Sequence, residues 1–295
     1  MKIRLISGSC YVAILVAFYC LKIFVHDFFF DALLYAFNLL GTYELLRALK
    51  DKTTSTQRCV TFAFSLVALP LVALAEYYFQ MGLLVMGVGL FVFSLAILCL
   101  LVVCYMETTL EGTGLSLLSG FYPTMLLCLL SLVNHTAAPV ALRWLAFNSN
   151  LLILLIFVIA PCADSIAYVF GISFKKYLPK KMTPNLSPNK TVIGGVGGLV
   201  GGVLGAAILY FAYNGVCGSF ADMRIWLPVY LAIGFFGAIA TAFGDLVESA
   251  IKRKLGIKDM GNIMPGHGGA LDRIDSILFA TIAVYAAFIL IGLCV

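Results

Sequence analysis

Apolar runs of about 20 residues recur nine times along this chain, and that recurrence leaves few folds open. They cover approximately residues 5–25, 28–47, 59–77, 82–105, 114–133, 145–171, 192–213, 226–249 and 274–294. At 1.5 Å of rise per residue each is long enough to cross roughly 30 Å of hydrocarbon. Inside hydrocarbon the backbone must satisfy its own hydrogen bonds, so each run reads as a helix. With 62% hydrophobic and 11% charged residues and a mean hydropathy of +1.06, a single soluble domain in a polar coat is excluded. The expected fold is all-α, a polytopic helical membrane protein with about nine transmembrane helices.

Basic residues accumulate on the cytoplasmic side of membrane proteins. Nine spans put the N-terminus and the loops near 50, 110, 180 and 260 on one side, and sixteen of the nineteen Lys and Arg fall there, all but Lys22, Arg143 and Arg224. The N-terminus is therefore expected in the cytoplasm and the C-terminus outside. The first run has the basic start of a secretory signal but lacks a clear small-residue cleavage site, so an uncleaved span is expected. The net charge of +5 sits beside spans, with no soluble nucleic-acid module in view, so anionic headgroups and nucleotide phosphates are the expected partners rather than nucleic acid. Nine scattered cysteines without a C-x-x-C pair read as small apolar residues, not disulfides or a zinc site.

The halves differ in information. Residues 1–150 form an N-terminal transmembrane scaffold region whose polar groups look local. Glu44 and Arg47, three apart, predict an ion pair on one helix face, and His26, Asp27, Asp31 and His135 read as interfacial. Residues 151–295 form a C-terminal region in which polar groups recur at one depth. The sixth run ends with Asp164, Ser165 and Tyr168; the seventh follows Ser187-Pro188-Asn189-Lys190-Thr191; the eighth ends with Asp245, Glu248 and Ser249; the ninth starts at Asp272, Arg273 and Asp275. Pro179, Pro184 and Pro188 keep the lysine-rich loop before the seventh run from being a continuous helix. Four spans are thus expected to deliver polar groups to one cytoplasmic-side pocket.

Asp272 and Asp275 share a helical face at i and i+3, and Asp245 lies 27 residues earlier. Three carboxylates gathered together repel unless a cation is shared, and a hard ion with oxygen ligands, Mg²⁺ first, suits them. The alternative is ion pairing of Asp272 and Asp275 with Arg273, Lys252 or Arg253. Ser187, Lys190 and Thr191 are expected at a helix N-terminus, where free amides favour an anion. The glycine run 194–202 lies within an apolar span and predicts close helix packing. Gly266, Gly268 and Gly269 flank His267 in a polar loop that lets the backbone approach a ligand. His267 either positions a phosphate or bonds a carbonyl.

Ser249-Ala250-Ile251-Lys252-Arg253, Lys258-Asp259, Gly261, Pro265, His267-Gly268-Gly269 and Asp272-Arg273-Ile274-Asp275 closely resemble the signature of the phosphatidate cytidylyltransferases. Asp164 with Ala167, Tyr168 and Gly171, and the pairs Ser187-Pro188 and Lys190-Thr191, resemble further motifs of that family. The resemblance covers roughly residues 160–276. It implies transfer of CMP from CTP to phosphatidate, giving CDP-diacylglycerol and pyrophosphate in phospholipid biosynthesis. It also implies Mg²⁺ with a second, monovalent cation such as K⁺, a homodimer, and a bacterial-type inner membrane with the site facing the cytoplasm. On that reading Asp245, Asp272 and Asp275 hold metal, Lys190, Ser187 and Thr191 hold phosphate, and Lys252, Arg253, Lys258, His267 and Arg273 hold phosphate or pyrophosphate. Gly268 and Gly269 line the substrate, while Asp164, Glu248 and Ser249 support the site. Ile193 stands where the family carries Glu, and Met264 and Ala270 replace other apolar residues. A CTP-dependent polyprenol or phytol kinase is the competing enzyme, and a transporter with intramembrane carboxylates is the non-enzymatic reading.

Overall fold

A computed structural model describes residues 2–136, 148–174, 180–184, 186–217, 223–264 and 268–294. The chain divides into two compact units, one of residues 1–135 with 255–274, the other of 136–254 with 275–295. The loop after residue 254 and the start of the last helix belong to the first unit.

The first unit contains α1 (Lys2–Phe24), α2 (Phe28–Ala48), α3 (Ser55–Phe79), α4 (Gly82–Val103), α5 (Leu110–Ser119) and α6 (Leu126–His135), the last two joined by a π-helical stretch over Gly120–Met125. The second contains α7 (Ser149–Ser173), a short hairpin of β1 (Lys181–Thr183) and β2 (Ser187–Thr191), α8 (Val192–Cys217) and α9 (Met223–Lys254). Helix α10 (Leu271–Cys294) begins in the first unit and continues in the second from Asp275.

Among the described residues all nine expected runs contain helix, and eight helical stretches are long and apolar enough to cross a membrane. The ninth, α2, falls short because of its polar side chains. Those side chains are buried: Asp31, Asn38, Thr42 and Glu44 are at most 5% exposed. Asn38 donates to the Ser65 carbonyl at 2.8 Å and Thr42 meets Thr124 at 3.2 Å, so α2 turns its polar side into the first unit. A buried amide or hydroxyl needs such partners, since leaving one unpaired costs roughly 1–3 kcal/mol.

Asp31 and His135 are buried, their side chains pair, and Ser131 donates to Asp31 at 2.7 Å. Asp27 pairs with the buried Lys22. One expectation for this half is corrected: Glu44 does not pair with Arg47. Both of its oxygens accept backbone N–H groups, from Ala270 and Leu271, each at 3.0 Å. Two amides at the start of a helix, backed by its dipole, satisfy a buried carboxylate more completely than one exposed guanidinium.

In the second unit the glycine run does what its spacing predicts. A Cβ on Gly201 would lie 2.5 Å from the Cys162 carbonyl, and one on Gly202 2.6 Å from the Gly234 carbonyl. α8 therefore packs backbone to backbone with α7 and α9, as small-residue faces allow. The segment before α8 is corrected: Ser187 and Lys190 stand on a strand, with Lys181 opposite Thr191 and Thr183 opposite Ser187, not at a helix N-terminus. Prolines and β-branched threonine oppose helix here and leave the hairpin. Thr191 does serve α8, its hydroxyl accepting the Gly194 N–H at 3.1 Å.

Candidate active site

A cleft of about 460 Å³ opens in the second unit. Its apolar walls are small: Ala163 and Ala167 from α7, Gly194 and Gly198 from α8, and Ala238 and Ala242 from α9. Its polar groups are Asp164 and Tyr168 from α7, Lys190 and Thr191 from the end of β2, and Thr241 and Asp245 from α9. Close helix packing clears the space, because large side chains on those faces would fill it.

Asp245 is the electrostatic centre. Lys190 Nζ lies 2.5 Å from its Oδ2, with both side chains about 30% exposed, and the Ser249 hydroxyl lies 3.4 Å from Oδ1. The antiparallel hairpin carries Lys190 to this carboxylate. On α9 the spacing Thr241, Asp245, Glu248, Ser249, Lys252 repeats at helical intervals and builds one polar face. Glu248, 1% exposed, binds Lys252 at 2.9 Å one turn later. Asp275 lies beside Glu248 and accepts the Ser276 N–H at 2.7 Å. Asp164 hydrogen-bonds Ser276 and lies within electrostatic reach of Asp245, Asp275 and Lys190. The Thr241 hydroxyl is buried and has no hydrogen-bond partner among the described residues. Sequence reasoning passed over Thr241, although its position one turn before Asp245 is the signal that finds it.

The second unit therefore gathers Asp164, Lys190, Asp245, Ser249, Lys252 and Asp275, with Thr191 at the rim. Arg253 is exposed and its Nε donates to the Leu186 carbonyl at 3.4 Å, which ties α9 to the hairpin. Ser187 lies on the same hairpin, three residues from Lys190.

The other sequence-predicted residues belong to the first unit. Asp272 is 9% exposed, and its Oδ2 accepts the N–H groups of Met260 at 2.9 Å and Gly269 at 2.8 Å. Gly268 takes φ +87°, a left-handed conformation natural to glycine, and its carbonyl accepts the Met264 N–H at 2.9 Å. At Gly269 a Cβ would run into the Glu44 carboxylate. Glu44 and Asp272 thus fasten the loop around the first turn of α10. The Arg273 Nε is buried without a hydrogen-bond partner among the described residues, a donor suited to an anion. Lys258 is exposed. His267 lies outside the described residues.

The donors around Asp245 are all oxygens, which suits Mg²⁺ rather than a soft metal. Lys252, 2.9 Å from Glu248, sets one cation beside Glu248 and Asp275, and Asp164 and Asp245 add negative charge nearby. That crowding fits a bound divalent ion. No set of three His, Cys, Asp or Glu converges in ligand geometry among the described residues. The cation beside Asp245 is the Lys190 ammonium.

The chain is similar to known proteins over part or nearly all of its length. The chain is 44% identical over 133 residues to a phosphatidate cytidylyltransferase of Staphylococcus aureus, covering 43% of this chain and 45% of that protein. Relatives of the same name from Staphylococcus saprophyticus and Staphylococcus epidermidis are 40% identical over 127 residues and 41% identical over 131, with the same coverage. The chain thus spans just under half the length of the curated relatives it matches. The cytidylyltransferase family profile, by contrast, matches residues 2–291, nearly all of it. With a match of that extent, the chain belongs to the cytidylyltransferase family.

Proposed function

We propose that this chain transfers the CMP moiety of CTP to phosphatidate, releasing pyrophosphate and leaving CDP-diacylglycerol in the membrane. The observation that carries the reading is the cleft of the second unit, where a Lys190–Asp245 pair stands against small-residue apolar walls in a member of this family. Its polar rim suits phosphates and its apolar wall suits a lipid.

Phosphatidate carries a phosphate monoester whose second pKa lies near about 6, so most of it is a dianion at neutral pH. A general base is unnecessary. The barrier is the approach of one anion to the α-phosphorus of another, and cationic side chains that neutralise the non-bridging oxygens lower it. Lys190 neutralises CTP phosphate at the cleft, with Ser187 and Thr191 adding donors from the same hairpin. Lys252 and Arg253 extend the positive charge along α9. Lys258, His267 and Arg273 of the signature loop serve phosphate or pyrophosphate, and the orphaned Arg273 Nε supports that assignment. Gly268 and Gly269 let the loop backbone come close to substrate. Asp245 and Asp275, with Asp272 three residues before Asp275 on α10, would hold Mg²⁺, and a monovalent cation such as K⁺ would accompany it. Bound there, the metal would withdraw charge from the transferring phosphoryl group and from the departing pyrophosphate. Asp164, Glu248 and Ser249 hold these residues in place.

The basic loops support a cytoplasmic N-terminus and a cytoplasm-facing site in a bacterial-type inner membrane. Assembly as a homodimer belongs to the same reading. Purified protein given α-phosphate-labelled CTP, phosphatidate and Mg²⁺ should place labelled CMP in the lipid fraction. Label that enters lipid only from the γ-phosphate, with a polyprenol or phytol acceptor, would identify a kinase. No transfer from either position, with intact protein, would overturn the enzymatic reading.

A further inference from the structure

A second cavity, of about 550 Å³, lies between α2 and α3 of the first unit and shares no residue with the cleft described above. Its walls are apolar, led by Leu46, Phe62 and Leu66, and its rim carries three cations, Arg47, Lys50 and Arg58. Arg58 donates to the carbonyls of Lys50, at 2.9 Å, and Thr53, closing the turn that joins the two helices. Arg47 and Lys50 are exposed and make no ion pair among the described residues. Asp51, next in the chain, does not line the cavity.

α3 is long and apolar enough to cross a membrane, so a cationic rim at its N-terminal end would face headgroups while the apolar wall runs along α3 toward hydrocarbon. Arginine and lysine at that depth attract anionic lipid, by about 1 kcal/mol each. A free phosphate would gain nothing from Phe62 and Leu66, and a zwitterionic lipid would gain little from two unpaired cations. We propose that this groove is a binding site for an anionic phospholipid, whose phosphate meets Arg47 and Lys50 and whose acyl chain lies along Phe62, Ala63 and Leu66. The site does not depend on the reaction proposed for the second unit.

Native mass spectrometry of the full chain in detergent, titrated with phosphatidylglycerol or phosphatidylcholine, tests it. The wild type should retain phosphatidylglycerol in preference. Arg47→Gln with Lys50→Gln should weaken that retention roughly thirtyfold, the product of two charges, and bring it to the phosphatidylcholine level. Arg47→Lys with Lys50→Arg should restore it. Ala63→Trp, which fills the groove while leaving the charges, should lower retention of phosphatidylglycerol as well. Unchanged retention in the double glutamine variant or in Ala63→Trp would overturn the proposal. So would displacement of the lipid by millimolar inorganic phosphate, which would mark a simple anion site. Retained helical circular dichroism in each variant separates lost binding from lost fold.

Discussion

Two sets of carboxylates, Glu44 and Asp272 of the first unit and Asp245 of the second, meet their partners in opposite ways. In the first, Glu44 is 2% exposed and gives both oxygens to backbone amides, and Asp272 gives Oδ2 to two more. In the second, Asp245 faces an open cleft and holds the ammonium of Lys190. Backbone amides cannot leave, so carboxylates bound to them serve as fasteners. A lysine on a short hairpin can exchange its carboxylate for a phosphate, so a carboxylate bound to it is available for chemistry. Burial of an acid alone does not mark a reactive group; the identity of its partner does.

The sharpest way to break this contrast is Asp245→Asn. If the proposed transfer is right, turnover should fall by roughly 10²–10³, the scale of losing one preorganised electrostatic group. Thermal stability should hold within about 0.5 kcal/mol, as for substitutions outside the packed core. A large loss of melting temperature would make Asp245 a fastener like Glu44. Lys190→Ala should lower kcat/KM for CTP by roughly 10–100-fold, the value of a hydrogen bond to a charged group. Nucleotide kinetics like those of the wild type would remove Lys190 from phosphate binding.

Glu44→Gln sharpens the other side. A carboxamide offers one acceptor where two amides now donate, which should cost roughly 1–3 kcal/mol in a detergent melt. Activity measured at low temperature should fall less than in Asp245→Asn, since Glu44 acts through the loop and not on substrate. Asp272→Asn should combine both signatures, lowering the melting temperature and abolishing Mg²⁺-dependent turnover, because its carboxylate is both tied to the loop and proposed as a metal donor. The smallest effect on turnover belongs to Asp31→Asn. It weakens the buried pairing with His135 and Ser131 and should lower stability while leaving kcat unchanged. A change in kcat would show that this buried pairing influences the chemistry.

Much of the fold was legible before any coordinates. Runs of 20 apolar residues have one solution in hydrocarbon, and all nine contain helix among the described residues. The glycine run foretold its backbone contacts because only small residues permit them. On α9, Asp245, Glu248 and Lys252 could be placed on one face from helical periodicity. The hairpin was less visible: prolines excluded helix, but strands of three and five residues carry too little period-2 signal to declare themselves.

Sequence alone determined the membrane class and the helical spans, because hydropathy and helical period are properties of neighbours along the chain. Only the tertiary structure decided who partners whom. Glu44 finds its ligands 226 and 227 residues away, and Lys190 reaches Asp245 through the turn of a hairpin. Asp31 meets a histidine 104 residues on. Partners separated by such distances are chosen by packing, which brings side chains together irrespective of their spacing in the chain.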